Sequence, residues 1–227
     1  AFIEPNKAAT DYSGSQFATV EGLTLEKDFV IPRIEAAHVF RLNDNNLRIR
    51  PVVAYQTYDI EAAEGGSESI DSYTAGLGVS ADFGPAYVKG TLSFHKNPGN
   101  YGHVNTVNVA FKDATLGENG SVNDADAIWG TLAVGFKAND MVTLEAGGSY
   151  QSSEVDDPEF TYPNDPATFG PLAGTTTWAE KGEQTGMLYY AQAWITLNKN
   201  VHIIPEIGVV DRDEVEYSEV PNIGNVK

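Results

Sequence analysis

The chain has 227 residues, with 14 Lys and Arg against 32 Asp and Glu for a formal charge of −18, and with 22 Gly, 3 Trp, 11 Tyr, 10 Phe and no Cys. Without cysteine there is no disulfide framework, thiolate zinc site or cysteine nucleophile, and the acidic balance opposes general binding to nucleic acid, itself a polyanion. No apolar run is long enough for a transmembrane helix, but a membrane strand needs only about ten residues, half of them polar.

The elements follow a period of two. Residues 29–42 place Ile34, Ala36, His38, Phe40 and Leu42 opposite Arg33, Glu35 and Arg41, and residues 47–58 place Leu47, Ile49, Val53 and Tyr55 opposite Arg48, Arg50 and Gln56. Residues 70–83 alternate Tyr73, Ala75, Leu77, Val79, Ala81 and Phe83 with Ser72, Thr74, Gly76, Gly78, Ser80 and Asp82. In residues 86–95, Val88, Leu92 and Phe94 oppose Tyr87, Lys89, Thr91, Ser93 and His95. Residues 126–137 and 142–151 continue the pattern, with Leu132, Val134 and Phe136 opposite Thr131, Gly135 and Lys137, then Leu144, Ala146 and Tyr150 opposite Glu145, Ser149 and Gln151. Residues 187–197 and 201–209 complete eight expected strands, and no segment has a helical period.

The connections alternate in length. Asn43-Asp44-Asn45-Asn46, Gly84-Pro85, Asn139-Asp140 and Asn198-Lys199-Asn200 are short and made of turn formers. Residues 61–69, 97–123 and 152–186 form long links rich in Gly, Pro, Asp, Glu and Ser. Such sorting predicts an all-β, transmembrane, antiparallel up-and-down β-barrel with its tight turns in the periplasm. A β-sandwich has no reason to sort its loops this way.

Aromatic residues on the apolar face fall into two groups. Phe40, Phe83 and Phe136 stand near short turns; Tyr55, Tyr73, Phe94, Tyr150 and Tyr189 stand near the far ends. Phe83 and Tyr73 would be about 25 Å apart along the axis of a tilted strand, the height of a lipid-facing band between two aromatic girdles. A ring with a polar edge suits the headgroup boundary.

With these features in place, Ile31-Pro32-Arg33-Ile34-Glu35-Ala36-Ala37, Ala54-Tyr55-Gln56-Thr57-Tyr58-Asp59 and Phe83-Gly84-Pro85-Ala86-Tyr87-Val88-Lys89-Gly90 give the chain a resemblance to bacterial outer-membrane porins, of the diffusion-channel type found in delta-class Gram-negative bacteria. The resemblance implies a barrel of about sixteen strands, often a homotrimer, that passes small hydrophilic solutes through a water-filled lumen. It places the chain in an outer membrane, with lipid and lipopolysaccharide as neighbours. The chain departs from the family in one respect: residues 1–28 and 211–227 are both expected on the extracellular side, whereas such barrels have periplasmic termini and a last strand ending in an aromatic residue. An incomplete barrel domain is the resulting expectation, with residues 29–210 forming eight strands and 211–227 a loop leading to another.

If the apolar face meets lipid, the other face meets the lumen. The expected pore-lining residues are Arg33, Glu35, Arg41, Arg48, Arg50, Asp82, Lys89, Lys137, Glu145 and Glu206. Arg33, Arg41, Arg48 and Arg50 share one hairpin and would form a basic wall opposite acids, or else brace the wall by pairing with Glu35 and neighbouring carboxylates. Gly76, Gly78, Gly135 and Gly147 would leave aperture or admit an inward-folded loop, for which residues 97–123, with an extended stretch over 104–111, are the candidate. Asp156, Asp157, Asp211 and Asp213 lie in acidic links that suit Ca²⁺ or Mg²⁺ bridging to lipopolysaccharide phosphates, although charge runs are more often solvated surface.

Enzyme signatures are thin. Gly76-Leu77-Gly78-Val79-Ser80-Ala81 matches a dinucleotide-binding string but falls inside an alternating segment. His38, His95, His103 and His202 lack metal-ligand spacing. No catalytic step and no resident cofactor are expected. Two other classes remain: a non-conducting structural or adhesive barrel, and a soluble carbohydrate-binding β-sandwich.

Overall fold

Each alternating segment pairs with its sequence neighbour, and the pairings define the architecture. The structure, a computed structural model, describes residues 26–28, 31–61, 67–98, 111, 114–116 and 122–226. Strands β1 (Glu26–Asp28), β2 (Ile34–Ala37) and β3 (Phe40–Leu42) run as one interrupted ribbon along β4 (Leu47–Glu61). Then follow β5 (Ser67–Phe83), β6 (Ala86–Lys96), the small hairpin of β7 (Thr115–Leu116) and β8 (Val122–Asn123), β9 (Ala125–Lys137) and β10 (Val142–Asp156). The link after β10 holds β11 (Glu159–Thr161), α1 (Pro166–Phe169), a 3₁₀ turn and β12 (Thr176–Trp178). The chain continues through β13 (Lys181–Asn198), β14 (Val201–Ile203), β15 (Glu206–Arg212), β16 (Glu216–Val220) and β17 (Gly224–Val226).

The protein is all-β apart from α1 and the 3₁₀ turn, and its main sheet is an antiparallel meander of 13 segments. Segments β14, β15 and β16 lie end to end along β13, so the meander has eight ribbons, as expected. Among the described residues the first and last ribbons do not pair with one another, and the sheet is open.

Interruptions have local causes. Pro51 has no N–H to donate, and β2 and β3 part opposite it at His38, whose own N–H still reaches the Pro51 carbonyl at 3.3 Å. Pro205 separates β14 from β15 in the same way. The short turns form where expected. Asn43, Asp44 and Asn45 all take left-handed backbone (φ 51, 52 and 73°), Gly84 does so at 76°, and the Asn139 side chain accepts from the N–H groups of Met141 and Val142, both at 2.9 Å.

Several boundaries differ from expectation. Glu61 pairs with Ser67, so the link read as 61–69 shortens to 62–66. β13 begins at Lys181 rather than 187, and the link read as 152–186 holds α1 and the β11–β12 hairpin. Residues 211–227, read as a loop, contain the β16–β17 hairpin. Of the other links, residues 1–25, 29–30 and most of the 104–111 stretch lie outside the described residues.

The register also contains a stagger. One row of partners runs Phe40, Ile49, Val79, Gly90, Leu132, Gly148, Tyr189. Phe40 stands three residues before its turn at Asn43, but Tyr189 stands nine before Asn198. The row thus climbs about one residue per strand step, roughly 3.3 Å of rise for each 4.8 Å across, a strand tilt of roughly 35° relative to the level of the turns.

Candidate functional site

The two faces of the sheet are buried in the reverse of the usual sense. On one face Phe83 is 66% exposed and Ile207 75%, and Leu77, Leu92, Leu132, Val134 and Leu144 are likewise exposed. On the other face Ser72 is 0% exposed and Gln151 3%, with Gln56, Thr74, His95, Ser153 and Gln184 also buried. Several polar side chains pair with one another there, while the buried Ser153 hydroxyl has no hydrogen-bond partner among the described residues. His95 shares hydrogen bonds with Thr74 (2.9 Å) and Ser93 (2.8 Å) and stacks on Trp129 at 4.0 Å between centroids. Thr91 and Thr131 pair through their hydroxyls at 2.6 Å.

Strand register places the expected pore-lining residues on this polar face. Glu35 lies opposite Ala54, Arg41 opposite Arg48, Arg48 opposite Ser80 and Ser80 opposite Lys89. Arg50 lies opposite Gly78, Asp82 opposite Tyr87, Lys137 opposite Thr143, and Glu145 opposite Gln192, which in turn faces Glu206. Arg33 precedes β2 and pairs with Glu35, two residues along, at 2.9 Å. Among the described residues no carboxylate lies within ion-pair distance of Arg41, Arg48 or Arg50; Arg48 donates instead to the Asn45 amide oxygen at 3.2 Å.

Glu145 is the most heavily partnered charge on the face. The residue is 8% exposed, and its carboxylate accepts from Tyr87 Oη (2.7 Å), Lys89 Nζ (3.2 Å), Tyr190 Oη (2.9 Å) and Gln192 Nε2 (2.7 Å). Two glycines make this cage possible. A Cβ at Gly135 would stand 2.0 Å from the Tyr87 ring, and one at Gly147 2.8 Å from the Tyr190 ring and 2.7 Å from the Leu132 carbonyl oxygen. These positions are therefore seats for tyrosine rings rather than open aperture. Sequence reading placed Tyr87 and Glu145 on one face but missed Tyr190 and Gln192 as partners; their alternation with Tyr189 of the apolar face is the only signal for them.

Beside the cage a trough of about 550 Å³ is lined by Arg48, Arg50, Gly78, Ser80, Lys89, Thr91, Thr131, Ser149 and Tyr190, among others. Parts of the 97–123 link lie over the same face nearer the long-link end. Ala114 packs on Tyr58 and Ile70, and Phe111 packs on Ala125 and Val155 in the notch left by Gly182. No protein-family model, curated protein or solved structure matches the chain.

The expected aromatic girdle residues all lie on the exposed apolar face. Tyr55, Phe94 and Tyr189 each stand nine residues from their short turn, Tyr150 ten and Tyr73 eleven. Tyr55 faces Tyr73 directly, and its hydroxyl donates to Asp71 at 2.7 Å. The acidic candidates for calcium are not gathered: Asp156 lies opposite Lys181, while Asp213 accepts from the Thr185 hydroxyl. Among the described residues no group of three or more His, Asp or Glu is placed to hold a metal ion. The glycine string at 76–81 lies inside β5, with no helix following it.

Proposed function

We propose that this sheet is wall of an outer-membrane β-barrel porin, passing small hydrophilic solutes or ions passively through a lumen lined by the polar face. The observation that carries the reading is the inverted burial: large apolar side chains exposed on one face, Ser72, Gln151 and Glu145 buried on the other. Exposed apolar area on this scale is unfavourable in water. It is the expected state in hydrocarbon, where a closed barrel also removes unpaired strand edges. The stagger of the rows supports the same reading, because closing a sheet into a barrel requires tilted strands, typically by 35–45°. A sandwich would need a second layer over Leu77, Leu132 and Leu144, and these are exposed. The surroundings that follow are outer-membrane lipid and lipopolysaccharide.

Selectivity in this reading comes from Arg41, Arg48 and Arg50, which have no carboxylate partner among the described residues, more than from Glu145, whose charge is taken up by its four donors. Arg48→Glu combined with Arg50→Glu should shift ion selectivity towards cations in planar-bilayer recordings, and an unchanged reversal potential would defeat the assignment. A second reading, a non-conducting structural barrel, is favoured by the packing of Phe111 and Ala114 against the polar face, which narrows any lumen. Single-channel conductance separates the two.

A further inference from the structure

We propose that Arg41, Arg48 and Arg50, with Lys89, form a saturable site for an oxyanion bearing two or more charges; this deepens the porin reading and rests on it. Arg41 and Arg48 are direct cross-strand partners, and Arg50 follows two positions along on the same face. Cβ atoms of such partners lie about 4.5–5.5 Å apart, and like charges so placed repel. Among the described residues the carboxylates in ion pairs serve Arg33, Lys89, Lys96 and Lys181, and none serves these three arginines. The closest acid in register, Asp82, is two residues beyond Ser80, the partner of Arg48, and lies opposite Tyr87. Three guanidinium groups thus share one hairpin with no counter-ion among the described residues.

The surroundings suit a tetrahedral or planar oxyanion. Gly78, opposite Arg50, leaves room: a Cβ there would meet nothing nearer than 3.7 Å. Ser80 and Thr91 add hydroxyl donors, and Lys89, 57% exposed at its side chain, adds a second kind of cation in the same trough. Guanidinium forks bind carboxylate or phosphate oxygens in pairs, which a diffuse positive field does not do. With a chain charge of −18, general attraction of anions to the protein does not account for such a site.

Inorganic phosphate is the probe. Calorimetric titration into the full chain in detergent micelles at fixed ionic strength should show saturable binding. Arg48→Gln with Arg50→Gln should weaken it at least tenfold, and Arg48→Lys with Arg50→Lys, which keeps charge but loses the forks, should weaken it several-fold. No saturable binding by the native chain, or lysine variants that bind as well as the native chain, would overturn the proposal. Bilayer recordings separate the two levels: chloride current that does not saturate with phosphate sinks the site but leaves the porin reading, whereas phosphate binding without any conductance sinks the porin reading and leaves the site.

Discussion

The wall and the cap at its long-link end obey opposite rules of burial. In the wall, Leu132 and Phe136 are exposed while Ser72 and Glu145 are buried. In the cap, formed by residues 157–180 with the β16–β17 hairpin, Phe160, Tyr162, Ala179 and Val220 make a buried apolar cluster, with Phe169, Leu172, Tyr217 and Val226 packed against it. Phe160 meets Tyr217 edge-on at 5.1 Å, and the Tyr162 hydroxyl donates to the Pro221 carbonyl. One chain, with one composition, thus folds one region as a water-soluble domain folds and another the other way round. In the porin reading the difference is one of medium, since apolar burial is driven only where the alternative is water.

The largest test of that contrast compares neighbouring residues on opposite faces. Leu132→Arg puts a charge on the apolar face in mid-strand and should cost about 2–4 kcal/mol of folding stability in lipid vesicles. Thr131→Glu, one residue away on the polar face, should cost much less, because it gives up the hydroxyl pair with Thr91 but sets a carboxylate in the trough with Arg48, Arg50 and Lys89. Urea titrations of the vesicle-embedded protein would measure both, and equal costs would remove the distinction between the faces.

A smaller effect is expected on the polar face itself. Gly135→Ala should cost about 1–3 kcal/mol by forcing the Tyr87 ring off its seat. Because the colliding atoms belong to that ring, Tyr87→Ala in the same chain should recover most of the loss. Gly147→Ala should not be rescued by Tyr190→Ala in the same way, because the Leu132 carbonyl oxygen also stands within 2.7 Å of the added carbon. Full rescue at both sites would mean that the ring alone, and not the Leu132 carbonyl, opposes the added carbon at Gly147.

What could be read from sequence was parity. A period of two assigns Arg41, Arg48, Arg50, Asp82, Lys89, Lys137, Glu145 and Glu206 to one face without knowing which strand pairs with which, and the observed registers agree. What could not be read was contact between distant residues. Tyr87 and Tyr190 lie 58 and 45 residues from Glu145, and only the registers of β6, β9, β10 and β13 bring them to it. Gly135 reads as a gap because a missing side chain does not say what fills its place. The cap was invisible for a related reason. Phe160, Tyr162, Phe169 and Leu172 follow no period within a Pro- and Gly-rich link, and their apolar environment is completed by residues 217–226.

The smallest expected effect lies within the cap, where acid should act in two directions at once. Asp165 caps α1, accepting from the Ala167 N–H at 3.1 Å and the Thr168 hydroxyl at 2.5 Å, and these bonds hold its carboxyl below the usual range. A depressed pKa stabilises the folded cap at pH values above the ordinary carboxylate range, and that contribution disappears as pH falls through the folded value. Glu180 is shifted the other way, because a hydrogen bond with the Glu219 carboxyl, and then its charge, favour the protonated form. Its contribution is present in acid and is lost as pH rises through its raised value. Acidification should therefore lower amide protection at Ala167–Phe169 while raising it around Glu180, whose N–H donates to the Ser218 carbonyl at 3.0 Å. Asp165→Asn keeps a neutral acceptor at the cap, so it should abolish the first change and leave the second. Hydrogen-exchange protection factors measured across the acid range would check both, and parallel movement of the two sites would show that the cap responds to acid as a single unit.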